Sequence, residues 1–167
     1  FLVFSDSFIN WRGMRESQGR RIKRSLLIKI DSINFMEDKA LKDLEKIERI
    51  KSFLQSRKTE IESHNKKKNI DKSMLINGRN LTNLGLFRHY AEAYLEEHPM
   101  VNSNMTIMCR QLSPTSQGIP LEVYAFCSDK NWKNYEHISA DIFDHLLAAT
   151  QYFGLVCFEL SPQTPIN

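Results

Sequence analysis

The sequence predicts an α+β sandwich, one sheet with helices packed on it, and three observations carry that expectation. Apolar and polar residues alternate around Ile22, Leu26, Ile28 and Ile30, and again over residues 105–109 and 121–127. Apolar residues recur at three and four positions over residues 38–64 and 135–153. Turn-forming residues separate these blocks, so strands and helices follow one another in a chain of 167 residues, the length of one ordinary core-bearing domain.

Taken in order, Phe1–Phe8 reads as the end of a strand, and Asn10-Trp11-Arg12-Gly13-Met14 with Gly19 reads as a connector. A strand follows from Arg21 toward Phe35, with Ile22, Leu26, Ile28 and Ile30 on one face and Lys23, Lys29 and Asp31 on the other. Ala40, Leu41, Leu44, Ile47, Ile50, Leu54 and Ile61 then predict one long amphipathic helix over Asp38–His64, closed by Asn65 and the run Lys66-Lys67-Lys68. Asn77-Gly78 predicts a tight turn joining a short hairpin over residues 73–82. Phe87, Tyr90, Ala91, Tyr94 and Leu95 predict a second helix closing at His98, before Pro99.

Met105, Ile107 and Cys109 form one alternating run and Leu121, Val123, Ala125 and Cys127 another, joined by the loop Ser113–Gly118. Tyr135, Ile138, Ile142, Leu146, Ala149 and Phe153 trace a third helix that stops at Gly154, and a last strand is expected over Leu155–Leu160. This order is that of a ferredoxin-like split β-α-β sandwich with an inserted hairpin and helix. Domain boundaries follow at 1–20 (connector), 21–160 (α+β domain) and 161–167 (tail).

Composition narrows the function. Apolar residues at 41% and charged residues at 26% argue for a packed core over a disordered chain. No run reaches the 18 or so apolar residues of a membrane-spanning helix. The opening Phe1-Leu2-Val3-Phe4, apolar and without Met, suggests a start within a larger protein. Residues 1–80 hold 19 Lys/Arg against 11 Asp/Glu and residues 81–167 hold 4 against 9, so the halves carry about +8 and −5. Such asymmetry suits a basic surface for an anionic partner or a surface packing against its own copies.

Candidate chemistry is sparse. Cys109, Cys127 and Cys157 are odd in number, never in a Cys-x-x-Cys pair, and lie in strand-like segments, so they read as small core residues. His137, Asp141 and His145, four apart, would line one helix face as a metal constellation needs; they lack a fourth ligand and read as a solvated polar face, with no metal expected. No Gly-x-Ser-x-Gly or phosphate-binding glycine loop occurs, so no enzyme activity and no cofactor are expected. The densest basic cluster is Arg20-Arg21-Ile22-Lys23-Arg24, and alternation divides it: Arg21 and Lys23 on one face, Arg24 with Ile22 on the other. That division weakens a nucleic-acid groove, so nucleic acid is not an expected partner.

Trp11-Arg12-Gly13-Met14, Gly19-Arg20-Arg21-Ile22-Lys23-Arg24-Ser25, Leu75-Ile76-Asn77-Gly78-Arg79 and Leu81-Thr82-Asn83-Leu84-Gly85-Leu86-Phe87-Arg88 resemble the C-terminal water-exposed region of bacterial miniconductance mechanosensitive ion channels, within the wider small-conductance superfamily. The resemblance covers nearly the whole chain. It implies that residues 1–20 end an Sm-like β domain, that membrane helices precede Phe1, and that the full protein sits in the bacterial inner membrane with this region on the cytoplasmic side. It further implies a homo-oligomeric ring, heptameric in the best-known members, whose hollow vestibule passes ions and small osmolytes on hypoosmotic shock. Asn10, Trp11, Arg12, Gly13, Met14, Arg20, Arg21, Lys23 and Arg24 would then lie near portals or subunit contacts at the joint of the two layers. The alternative reading is a ligand- or partner-binding regulatory α+β module.

Overall fold

Strand β1, Arg20–Ile28, pairs antiparallel with β3, Ile119–Cys127, along its whole length, from Arg20 opposite Cys127 to Ile28 opposite Ile119. A shorter strand β2, Met108–Gln111, pairs antiparallel with the other edge of β3. These strands belong to a computed structural model that describes residues 18–160. The sheet order is β1–β3–β2, which puts β3 at its centre. Central position explains why β3 is apolar on nearly every residue while β1 alternates.

Register and pleat gather Ile22, Leu26 and Ile28 of β1, Cys109 of β2 and Leu121, Val123, Ala125 and Cys127 of β3 on one face, all buried. The described helices are α1 (Asp38–Leu44), α2 (Glu48–Lys67), α3 (Asn83–Glu97) and α4 (Trp132–Thr150). Two of these four, α3 and α4, meet that face, and α2 packs against α3. Ile50 and Leu54 from α2, Phe87, Ala91 and Leu95 from α3, and Ile142 and Leu146 from α4 complete one core cluster. Burying a side chain of this size contributes about 1.5–3 kcal/mol, so the shared core is the main stabilising term.

The long helix expected over Asp38–His64 is two helices. Leu41 to Ile50 is nine residues, about two and a half turns, which would place the two side chains on opposite sides of a continuous rod. Leu41, Leu44, Ile50 and Leu54 are all buried, so the rod must break between them. It does so at Ile47, whose backbone is extended at φ −80° and ψ 108°. At its far end α2 runs through Asn65, Lys66 and Lys67, and the left-handed Asn69 at φ 54° turns the chain away.

The expected hairpin over residues 73–82 is instead a sequence of turns. Gly78 supplies the positive φ of 72°, but no strand flanks it. Asn65 captures the loop: its amide donates to Arg79 O at 3.2 Å and its Oδ1 accepts from Arg79 N at 3.0 Å. Lys72 adds a donor to Leu75 O at 2.8 Å and further ones to Asn77 O and Asn80 Oδ1. The backbone groups that a hairpin would pair are thus met by side chains.

Helix α3 begins four residues earlier than Phe87, because Thr82 caps it, accepting from Gly85 N at 3.1 Å. Helix α4 ends in a 3-10 turn, Gln151–Phe153, and Gly154 at φ 67° forms the left-handed stop. The final strand is reduced to one bridge, Cys157 opposite Ile28, flanked by Lys29 N to Val156 O and Phe158 N to Leu27 O, each 2.8 Å. A 3-10 turn at Ile30–Ser32 ends β1 just beyond this bridge. The readings of Phe1–Phe8 as a strand, Asn10–Met14 as a connector and Ser161–Asn167 as a tail lie outside the described residues. None of the described helices is long and apolar enough to cross a membrane.

Candidate functional site

The basic run on β1 is divided by the pleat. Arg20 and Arg24 share the face of Ile22 and reach α4, where the Arg20 guanidinium lies 4.3 Å from the centre of the Tyr135 ring and that of Arg24 lies 3.8 Å from the Phe143 ring. Arg24 Nη2 also donates to Ser139 Oγ at 3.3 Å, and Tyr135 donates its hydroxyl to Arg21 O at 2.6 Å. Arg20 and Arg24 therefore clamp strand to helix.

Arg21 and Lys23 project from the opposite face and are exposed. Their register partners on β3 are Phe126 and Tyr124, whose rings meet edge to face at 5.5 Å. Arg110 of β2 joins the same face and donates from Nε to Glu122 Oε1 at 2.9 Å, an oxygen held on a nearly buried carboxylate. The result is a small patch of cations on an aromatic floor. Asn10, Trp11, Arg12, Gly13 and Met14, expected beside it, lie outside the described residues.

The His137, Asp141 and His145 row does not converge. His137 and Asp141 are exposed, and among the described residues no three His, Cys, Asp or Glu side chains close on one point as metal ligands. His145 departs from the solvated face expected of it. Its Nε2 lies 2.6 Å from the Tyr90 hydroxyl, its ring stacks on Tyr94 with centroids 3.9 Å apart, and it is half-buried. Arg49 of α2 donates from Nη1 to the same Tyr90 oxygen at 3.3 Å and from Nε to Glu97 Oε2 at 2.8 Å. Burial, then the Arg49 charge, then His98 hold the His145 pKa below its usual value. Burial also lowers the pKa of His98, against the opposing pull of Asp141.

This cluster joins α2, α3 and α4, and the spacing within any one helix could not have revealed it. Tyr90, Tyr94 and His98 do fall four apart on α3, which is the signal the sequence offered. A cavity of about 340 Å³ adjoins it, lined by Ile47, Tyr90, His145, Ala149, Tyr152 and Phe153. The cysteines offer no nucleophile there: all three are free thiols, and burial pushes Cys109 up to about 12, keeping it protonated.

Asn83 is the most fully engaged polar residue of the core. Its amide nitrogen donates to Ser32 O at 2.8 Å and Phe153 O at 3.0 Å, while its oxygen accepts from Asn34 N and Leu84 N, both at 2.9 Å. It fastens the start of α3 to the turn after β1 and to the end of α4. No protein-family model matches the chain.

Proposed function

We propose that this chain is the water-exposed vestibule region of a tension-gated mechanosensitive channel subunit, of the miniconductance type. The observation that carries the reading is the sequence resemblance around Trp11-Arg12-Gly13-Met14 and Thr82-Asn83-Leu84-Gly85. What supports it is the sheet order β1–β3–β2 with the Cys157 segment bridged to the free edge of β1, an order that a ferredoxin-like split β-α-β sheet would share. An Sm-like layer would precede it, and membrane helices would precede that.

In such a ring, repeated copies of Arg21 and Lys23 on one sheet face, with Arg110 neutralised by Glu122, would sum to a band of positive potential. Field focusing along an opening raises the local concentration of anions and biases which ions enter. Partners are then the subunit's own copies and the permeating ions, in the bacterial inner membrane, with no nucleic acid and no cofactor. Stretch-activated currents, and survival of hypoosmotic shock in cells lacking other such channels, test the reading; a well-inserted full-length protein that yields neither overturns it.

The second reading, a regulatory module, is favoured by the cavity beside Tyr90 and His145. Its size lies at the lower end of small-molecule sites, and its apolar walls with two polar groups suit an amphipathic ligand. A ligand that raises the melting temperature of this chain, and loses that effect in a Tyr90→Phe variant, would favour it.

A further inference from the structure

Helix α2 is fastened to α3 and α4 at its first turn through Arg49, which holds Glu97 and starts a chain of hydrogen bonds through Tyr90 to His145. Arg49 donates to the Tyr90 oxygen, and the Tyr90 hydroxyl lies 2.6 Å from His145 Nε2. With the Tyr90 proton in that bond, the imidazole is neutral and carries its own proton on Nδ1. Rings stiffen the same joint: Tyr94 lies flat on His145, and the Arg49 guanidinium sits 5.2 Å from the Tyr94 ring centre and 5.8 Å from that of Tyr90.

We propose that the Arg49–Tyr90–His145 chain is an acid-sensitive latch, closed while His145 is neutral and opened at the α2 end when His145 takes a proton. Protonation replaces the acceptor Nε2 with a donor, so the Tyr90 proton loses its place. It also sets an imidazolium beside Arg49, whose own donor is directed at the shared oxygen. The charged and titratable groups facing this point are Arg49 and Glu48 of α2, Tyr90, Tyr94 and Glu97 of α3, His98 at its end, and Asp141 of α4. Glu97 is engaged with Arg49 and Asp141 acts on His98, so neither offsets the new charge on His145 as a direct partner.

The effect is local, since Leu54, one turn further on, stays in the core whatever His145 carries. The first turns of α2 loosen and the break at Ile47 becomes a hinge for α1. This device does not depend on the channel reading. A regulatory module would carry the same latch.

The test is amide hydrogen exchange on the 167-residue chain at pH 7.5 and 5.5, corrected for intrinsic rates, at Ser52, Phe53 and Leu54, whose helical bonds close on the turn carrying Arg49. Protection there falls roughly fivefold or more at the lower pH, the low end of a coupling between two sites, while the central amides of β3 hold. A His145→Gln variant, which keeps an acceptor for Tyr90 and cannot be charged, removes the fall. Protection that is independent of pH, or a fall of the same size in His145→Gln, overturns the latch. Should the variant not fold, NMR titration of the native chain decides: Arg49 Nε–H and Tyr90 ring signals that shift with the midpoint of the His145 C2 proton support the latch, and signals that ignore that midpoint overturn it.

Discussion

The start of α3 and the basic run of β1 are both rich in polar residues, yet the fold uses them in opposite ways. Asn83 is 2% exposed, and its side chain makes four hydrogen bonds within one junction. In β1 the pleat sends Arg20 and Arg24 to α4 and leaves Arg21 and Lys23 at the surface. The polar residue at the first region therefore has an architectural cause, the need to satisfy buried backbone groups. At the second, only half of the run has such a cause, and Arg21 and Lys23 are the half open to function.

The largest effect expected from this contrast is at Asn83. An Asn83→Ala change strips partners from Asn34 N, Leu84 N, Ser32 O and Phe153 O and should cost about 3 kcal/mol of stability, read from urea unfolding. Next is Gly118, at φ 136° with Ile28 O where a β-carbon would stand. Gly118→Ala should destabilise by about 2 kcal/mol, because strain and overlap act together at the β2–β3 loop.

Arg24→Ala should cost about 1 kcal/mol through its lost contact with Phe143 and Ser139. Lys23→Ala, one position away, should stay within about 0.5 kcal/mol of the native chain. Equal losses at the two sites would break the division of β1 into a structural and a free face. The smallest effect concerns pH. The His145, His98 and His89 pKa values are each lowered in the fold, chiefly by burial, so the unfolded chain binds more protons. Their stabilising contribution is present at neutral pH and is lost as pH falls through 6.5 toward the lowered values. The urea midpoint should drop between pH 7.5 and 5.5, and His145→Gln should diminish that drop.

Much of the sheet was legible because its signals are local. Alternation at Ile22, Leu26 and Ile28 and at Leu121, Val123 and Ala125 reports directly which side chains are buried, and the stripe ending at Gly154 marks α4 and its stop. Where two local rules competed, the reading failed. Ile47 lies at helical spacing from both Leu44 and Ile50 and so appeared to join one stripe, while the phase between Leu41 and Ile50 required a break. Asn77-Gly78 supplied a turn, but hairpins also need flanking strands, and Asn65 and Lys72 met the backbone groups first.

The candidate site was legible only in part. Parity along β1 correctly divides the basic run, since it depends on nothing beyond the pleat. His145 was placed on a solvated face because its spacing from Asp141 and His137 describes one helix alone. Its partners, Tyr90 and Arg49, come from 55 residues and nearly 100 residues away in sequence, and only packing of α2, α3 and α4 brings them together.

The measurement that tests the central claim most directly is recording from membranes holding the full-length protein under graded suction, with and without charge reversal at Arg21 and Lys23. Stepwise currents that appear only under tension, with an ion preference shifted toward cations by Arg21→Glu and Lys23→Glu, are the expected result. A well-inserted protein silent at every tension up to membrane rupture would contradict the channel reading.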